Sequence, residues 1–153
     1  MLNIYNFVKI IITMKRYILI TSVIIILTMT LAVSAVDFEN EIIKGLNITT
    51  DFDGALSEAQ IQNKSIALIF DQDSCVYCEM LKNDVLSNKD IQKELNEKYI
   101  VVIVDINKNP EIAAKYEVFG TPTVQFLDSH GGEISKIEGY VDSNEFSKTL
   151  KEI

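Results

Sequence analysis

Hydrophobic and polar positions divide the chain into two unlike parts. Tyr17 to Val36 is a run of 20 residues without a charge, dominated by Ile, Leu and Val and lacking any period. Beyond it the pattern becomes periodic and is broken by turn residues. Thr50-Asp51-Phe52-Asp53 predicts a capping box opening a helix through Gln62, with Phe52, Leu56, Ala59 and Gln62 along one side. Ser65 to Asp71 is short and almost wholly apolar, which suits a central strand buried on both faces. Cys75 to Leu86 places Cys78, Leu81 and Val85 at helical spacing, and Ser87-Asn88-Lys89-Asp90 caps a further helix through Lys98. Tyr99 to Ile106 is a second central strand. Asn109-Pro110 forms an N-cap and N1 pair, starting a short helix that ends near Tyr116. Thr123 to Asp128 and Glu133 to Tyr140 are strands joined by the turn Ser129-His130-Gly131-Gly132. Asp142 and Glu145 cap a terminal helix with Phe146 and Leu150 facing inward. The order predicts an α/β domain: two buried strands joined through a helix run parallel, and the hairpin adds antiparallel strands to a mixed sheet.

The apolar run is a leader. Lys15 and Arg16 stand before it and Asp37, Glu39 and Glu41 after it, so its N-terminal side stays in the cytoplasm and the domain is exported. Two readings stand. As a secretory signal, Met14-Lys15-Arg16 is the n-region, and Ala32-Val33-Ser34-Ala35 supplies the small residues of a cleavage site. As an uncleaved anchor, about 20 apolar residues at 1.5 Å rise span a ~30 Å hydrocarbon core. The expected organisation is a signal peptide or membrane anchor at 1–35, a tether or edge strand at 36–50, and a domain at 51–153.

Charge narrows the function. Of the 14 basic residues, Lys9, Lys15 and Arg16 precede residue 36, leaving 11 against all 22 acids, a balance of −11 for the exported part. So acidic a surface repels phosphate backbones and excludes a nucleic-acid partner.

The chain has two cysteines, Cys75 and Cys78, spaced C-x-x-C. They follow a buried strand and open a helix, where unpaired N–H groups and the helix dipole stabilise a thiolate on the first of them. Other readings are poorly motivated. A structural zinc would need four ligands, whereas His130 is the sole histidine. A fixed disulfide closing so short a loop constrains the unfolded chain little. Unpaired core cysteines sit oddly at a loop-to-helix junction. About 45 residues on, Pro122 stands at the entrance of a strand, where it cannot donate to the ladder.

These motifs together resemble the thioredoxin superfamily. Cys75-Val76-Tyr77-Cys78 at the strand-to-helix turn, the run Tyr116 to Thr123 with Gly120-Thr121-Pro122-Thr123, the Gly131-Gly132 turn and Glu138-Gly139-Tyr140 match that family's pattern in order. The likeness covers about residues 50–153 and is closest to the secreted and periplasmic branch with C-x-Y-C followed by a lysine-rich helix. It implies a thioredoxin-like fold, a mixed four-stranded sheet flanked by helices, with Pro122 in cis beside the cysteine pair. It further implies that the backbone of Thr121 pairs with an extended substrate chain; the alternative is that Pro122 only stiffens a turn.

The departures matter as much. Asp73-Ser74 replaces the aromatic residue often found before the first cysteine. Ile69 stands six residues before Cys75, where cytoplasmic thioredoxins carry a buried acid, so proton handling for Cys78 falls to water or to a carboxylate such as Glu79. Val76-Tyr77 differs from the Gly-Pro of thioredoxin proper. Asp71, Asp73 and Glu79 read as ordinary solvated charges, Lys82 as a flexible cation, and Tyr116 and Phe119 as burying against the sheet or rimming the site.

The expected function is an extracytoplasmic thiol–disulfide oxidoreductase without further cofactor, a reductant rather than a strong oxidant. Cys75 and Cys78 are its catalytic pair, and Thr121 and Pro122 its substrate contacts. Its partners are protein thiols and disulfides and a redox partner. The alternatives are a non-catalytic adaptor of the same fold, or an electron relay dedicated to one membrane or secreted protein.

Overall fold

The computed structural model describes residues 13–15, 17 and 43–153, and the chain divides into two units, 1–38 and 39–153. Apart from Thr13–Lys15 and Tyr17, which are helical, the leader expected at 1–35 lies outside the described residues, as does the tether up to residue 42. No helix among the described residues is long and apolar enough to cross a membrane.

The second unit is a five-stranded mixed sheet, one strand more than expected. In chain order its elements are β1 (Ile48–Thr49), α1 (Phe52–Gln62), β2 (Ser65–Asp71) and α2 (Val76–Met80). A π-helical stretch, Leu81–Leu86, continues α2. There follow α3 (Lys89–Lys98), β3 (Tyr99–Asp105), α4 (Pro110–Lys115), β4 (Thr123–Leu127), β5 (Glu133–Glu138) and α5 (Ser143–Glu152). The strand order is β1-β3-β2-β4-β5. β1 and β2 pair in parallel with β3, whereas β4 runs antiparallel to β2 and β5. The extra strand is β1, a two-residue edge that the sequence leaves undecided between tether and strand.

The central strands follow directly from composition. Every residue from Ile66 to Phe70 and from Thr123 to Leu127 is buried, so side chains alternate between two apolar layers. Ala67, Ile69, Val101, Ile103, Val124 and Phe126 meet the π-helical stretch, α3 and α5 through Leu81, Val85, Leu95, Phe146 and Leu150. Ile66, Leu68, Phe70, Val102 and Val104 meet α1 and α4 through Phe52, Ala55, Ala59 and Ala113. Helix α1 begins one residue later than the capping-box pattern suggests. Asp51 caps it by accepting from the Gly54 N–H at 2.9 Å, and the buried stripe is Phe52, Ala55 and Ala59 rather than one including Gln62.

Two starts are capped where the sequence places them. Asn88 Oδ1 accepts from the N–H groups of Asp90 and Ile91, and Asp142 Oδ1 from those of Asn144 and Glu145. The β4–β5 turn is closed by Asp128, whose Oδ1 accepts from the His130 and Gly132 N–H groups, with Gly131 at φ 84°, a left-handed value that glycine adopts freely.

Candidate active site

Parallel β2 delivers the chain to the C-terminal edge of the sheet, where Gln72-Asp73-Ser74 turns into α2. Ser74 takes φ 61°, and Cys75, extended at φ −92° and ψ 104°, becomes the N-cap of α2. The reason lies in the helix end itself: the first turn's N–H groups need acceptors, and the Cys75 sulfur takes the Cys78 N–H at 3.1 Å. Cys78, three residues on, is 2% exposed, while Cys75 is at the margin of burial at 9%. The two are joined in a disulfide with Cα atoms 5.2 Å apart. The outer sulfur is thus the one open to attack, and the inner is shielded.

The chain returns to this edge after α4. The Thr121–Pro122 peptide bond is cis, and the loop carrying it abuts the disulfide. The Thr121 carbonyl oxygen lies 3.6 Å from Cys75 Sγ, and Thr121 Oγ1 lies 3.5 Å from the same sulfur. Pro122 O accepts from Gly139 N at 2.8 Å and Thr123 Oγ1 donates to Gly120 O at 2.8 Å, so both flanks of the loop are pinned. Gln125, fully buried on β4, donates from Nε2 to Tyr116 O at 2.7 Å and anchors the start of the same segment. The structure therefore brings all four expected site residues together.

Around them stand groups the sequence reading placed otherwise. Lys82 is no flexible cation: its Nζ lies 2.6 Å from Asp71 Oδ2 and 3.0 Å from Glu79 Oε1, with its side chain 19% exposed. Asp71 is correspondingly no ordinary solvated acid, being 15% exposed. Burial works against the Lys82 ammonium, but hydrogen bonds and attraction from Asp71 and Glu79 outweigh it, and its pKa is raised above the usual lysine value. Ile69 is buried at 2%, an apolar side chain with no carboxylate to handle a proton at that position. Asp71 shares a sheet face with Ile69 two residues on, and Lys82 stands a turn beyond Cys78. Strand and helix periods combined would have flagged the pair. Tyr116 is buried, whereas Phe119 is 94% exposed and rims the site.

A shallow groove runs along residues 119–123 with Glu138 and Gly139 at its side. The larger groove, lined by residues such as Asn47, Lys64 and Tyr99, holds neither cysteine. Among the described residues no cluster of His, Cys, Asp or Glu is arranged to hold a metal.

A disulfide at a helix N-terminus, its outer sulfur against the Thr121–Pro122 loop, on this mixed sheet topology is the architecture of a thioredoxin fold. The chain belongs to the thioredoxin-like domain family, whose model matches residues 52–153. It is similar to the thiol:disulfide interchange proteins DsbD of Photorhabdus laumondii, 28% identical over 99 residues, and of Yersinia pestis, 31% identical over 98 residues. Each match covers 61% of this chain but only 17% and 16% of those proteins. Among solved structures, a thioredoxin from Thermus thermophilus superposes with a TM-score of 0.64 at 28% identity, covering 71% of this chain and 86% of that one. The oxidised C-terminal domain of Neisseria meningitidis DsbD gives 0.54 at 25% identity, covering 65% and 87%.

Proposed function

We propose that the chain is an extracytoplasmic thiol–disulfide oxidoreductase that exchanges disulfides with protein substrates and works as a reductant rather than a strong oxidant. The observation that carries this reading is the position of Cys75 Sγ, bonded to Cys78 at the N-terminus of α2 and 3.6 Å from the Thr121 carbonyl.

In the reduced pair, Cys75 as thiolate attacks one sulfur of a substrate disulfide. A Cys75–substrate bond forms, and the other substrate sulfur leaves as a thiolate that takes up a proton. Cys78 loses its proton and attacks Cys75 Sγ. The second substrate thiol departs, and the pair is left oxidised with two electrons passed to the substrate. A donor dithiol must then reduce the pair by the reverse exchange. The Thr121 backbone beside the attacking sulfur positions the substrate as an added extended strand.

The Lys15-Arg16 flank against Asp37, Glu39 and Glu41 supports export, with the leader either removed after Ala35 or retained as a single anchor. Similarity to interchange proteins supports partners that are themselves thiols and disulfides. Insulin reduction driven by a small dithiol should proceed with the purified chain and fail with Cys75→Ser. Equal activity in that variant would end the oxidoreductase reading. Mass spectrometry of the mature N-terminus distinguishes the two forms of the leader, and an intact soluble cytoplasmic chain would contradict export.

A further inference from the structure

Gln125 lies fully buried on β4 between the apolar Val124 and Phe126, and its Oε1 has no hydrogen-bond partner among the described residues. Native interiors rarely keep such an atom, because its lost hydration is not recovered. What the side chain does supply is a donor: Nε2 gives its hydrogen bond to the Tyr116 carbonyl at 2.7 Å. Across the β4–β5 pairing Lys136 stands directly opposite Gln125, so the two side chains share one face of the sheet. Lys136 Nζ donates to the next carbonyl, that of Glu117, at 3.1 Å, and is itself held 3.0 Å from Glu138 Oε1. Two neighbouring side chains thus grip two consecutive carbonyls. Glu117 takes φ 52°, a left-handed value that residues with a Cβ seldom adopt. Four residues on is Thr121, whose hydroxyl lies 3.5 Å from Cys75 Sγ. Between Val118 and Thr121 come only Phe119 and Gly120, both in water. The place of Thr121 is therefore set by what holds the ends of its loop. Gln125 and Lys136 hold one end, and the Gly139 N–H, on the Pro122 carbonyl at 2.8 Å, holds the other.

We propose that Gln125 and Lys136 are positioning residues of the exchange reaction: their grip on the Tyr116 and Glu117 carbonyls fixes the Thr121 hydroxyl against the Cys75 sulfur. This rests on the function proposed above and adds to it two residues from the far side of the loop. Both act through the loop's backbone. When the pair is reduced, the Thr121 hydroxyl donates to the Cys75 thiolate and favours that charged form. Released at Tyr116 and Glu117, the loop relaxes out of its left-handed turn and the hydroxyl withdraws, so less thiolate forms at a given pH. The unpaired Oε1 is a local cost of keeping the Nε2 donor in an apolar layer, the kind of broken rule that marks a functional position.

The test uses the full chain, reduced. Iodoacetamide reads the Cys75 thiolate, and a short cysteine peptide capped with thionitrobenzoate reads exchange. Gln125→Met keeps the shape of the side chain and removes the unpaired Oε1 together with the Nε2 donor, so the denaturant midpoint should change little. Lys136→Met, at a side chain 20% exposed, repeats the test without touching the core. In both variants the alkylation inflection should rise by about half a unit, which slows alkylation and thionitrobenzoate release below the inflection about three-fold. Lys136→Arg should restore the parent value. Raised salt, which screens a simple loss of positive charge, should leave the shift in place. In a Thr121→Val background, with no hydroxyl left to position, neither variant should have a further effect. Parent kinetics in both variants, or a shift undiminished in the Thr121→Val background, would overturn the positioning role and leave the oxidoreductase intact. So would a loss of rate matched by an equal loss of folded protein. No thionitrobenzoate release by the parent chain would overturn both.

Discussion

The ammonium of Lys82 lies 2.6 Å from the carboxylate of Asp71, joining the end of β2 to the helix that carries both cysteines. Read along the chain, three acids near the pair, Asp71, Asp73 and Glu79, all disfavour a thiolate. In three dimensions Lys82 is held between two of them and offsets part of their field. Removing either partner therefore shifts the reactivity of Cys75 in opposite directions. Lys82→Met should move the pH inflection of Cys75 alkylation up, and Asp71→Asn should move it down, each by about half a unit to one unit at low ionic strength. Shifts of the same sign in both variants, or none, would show that the pair does not act on the thiolate.

The same pair has a signature in stability at alkaline pH. Lys82 has a folded-state pKa raised above 10.5, so its contribution is complete below the unfolded value and is lost as pH rises through the higher folded one. The difference in denaturant midpoint between the parent chain and Lys82→Met should stay level from about pH 7 to about pH 10 and shrink above that. Taking the difference cancels the tyrosines that titrate nearby. A gap that closes near neutrality would contradict the assignment.

What could be read from the sequence is what a short window settles. The run from Ile66 to Phe70 has no polar position to turn toward water, so it lies inside on both faces wherever it packs. Asn88 and Asp142 announce their helices because the donors they satisfy are within three residues. Contacts between distant elements were not legible in this way. The two residues of β1 carry no pattern of their own, and pair only because β3 presents an open edge. The π-helical Leu81–Leu86 looks like ordinary helix in sequence; there Ser143 Oγ, from α5, donates to the Asp84 carbonyl at 2.8 Å. Cys75 and Thr121 are 46 residues apart, and their proximity was foreseen through resemblance rather than spacing. Phe119 has the composition of a core residue, and only the turn of its loop leaves it in water.

Exposure differs between the two sulfurs, so their substitutions should differ in kind. Cys75→Ser removes the attacking thiolate and should abolish turnover. Cys78→Ser keeps attack and removes resolution, so the Cys75–substrate disulfide should accumulate and be seen as a mass adduct reversed by reductant. Adducts in Cys75→Ser instead would mean that the buried sulfur is the nucleophile.

The layer under the π-helical stretch and α5 includes Phe126, fully buried with its ring 5.4 Å from that of Tyr99 and 6.1 Å from that of Phe146. Phe126→Ala removes both ring contacts and leaves a cavity in a site with little room to collapse. It should cost about 3–5 kcal/mol in chemical denaturation. A loss below about 1 kcal/mol would mean that this layer repacks freely.

The direction of electron flow turns on how acidic Cys75 becomes when reduced. Strong oxidants of this fold stabilise their thiolate to a pKa near 3.5, against about 8.5 for free cysteine. At 1.36 kcal/mol per unit, that drop asks for roughly 7 kcal/mol. The structure supplies a helix N-terminus, typically worth about 0.3–1 kcal/mol and up to ~2 when partly buried. It adds the Cys78 N–H at 3.1 Å and the Thr121 hydroxyl at 3.5 Å as donors to the sulfur. Against these stand Asp71, Asp73 and Glu79, with Lys82 as the counter-charge held among them; no arginine is present beyond Arg16, and His130 sits in the β4–β5 turn. The sum leaves only a modest acidification, so the alkylation inflection should lie far above that of a strong oxidant. Iodoacetamide labelling of the reduced chain across pH reads this directly. An inflection below about pH 5 would mean that far stronger stabilisation reaches Cys75 than these groups provide, and the protein would be an oxidant.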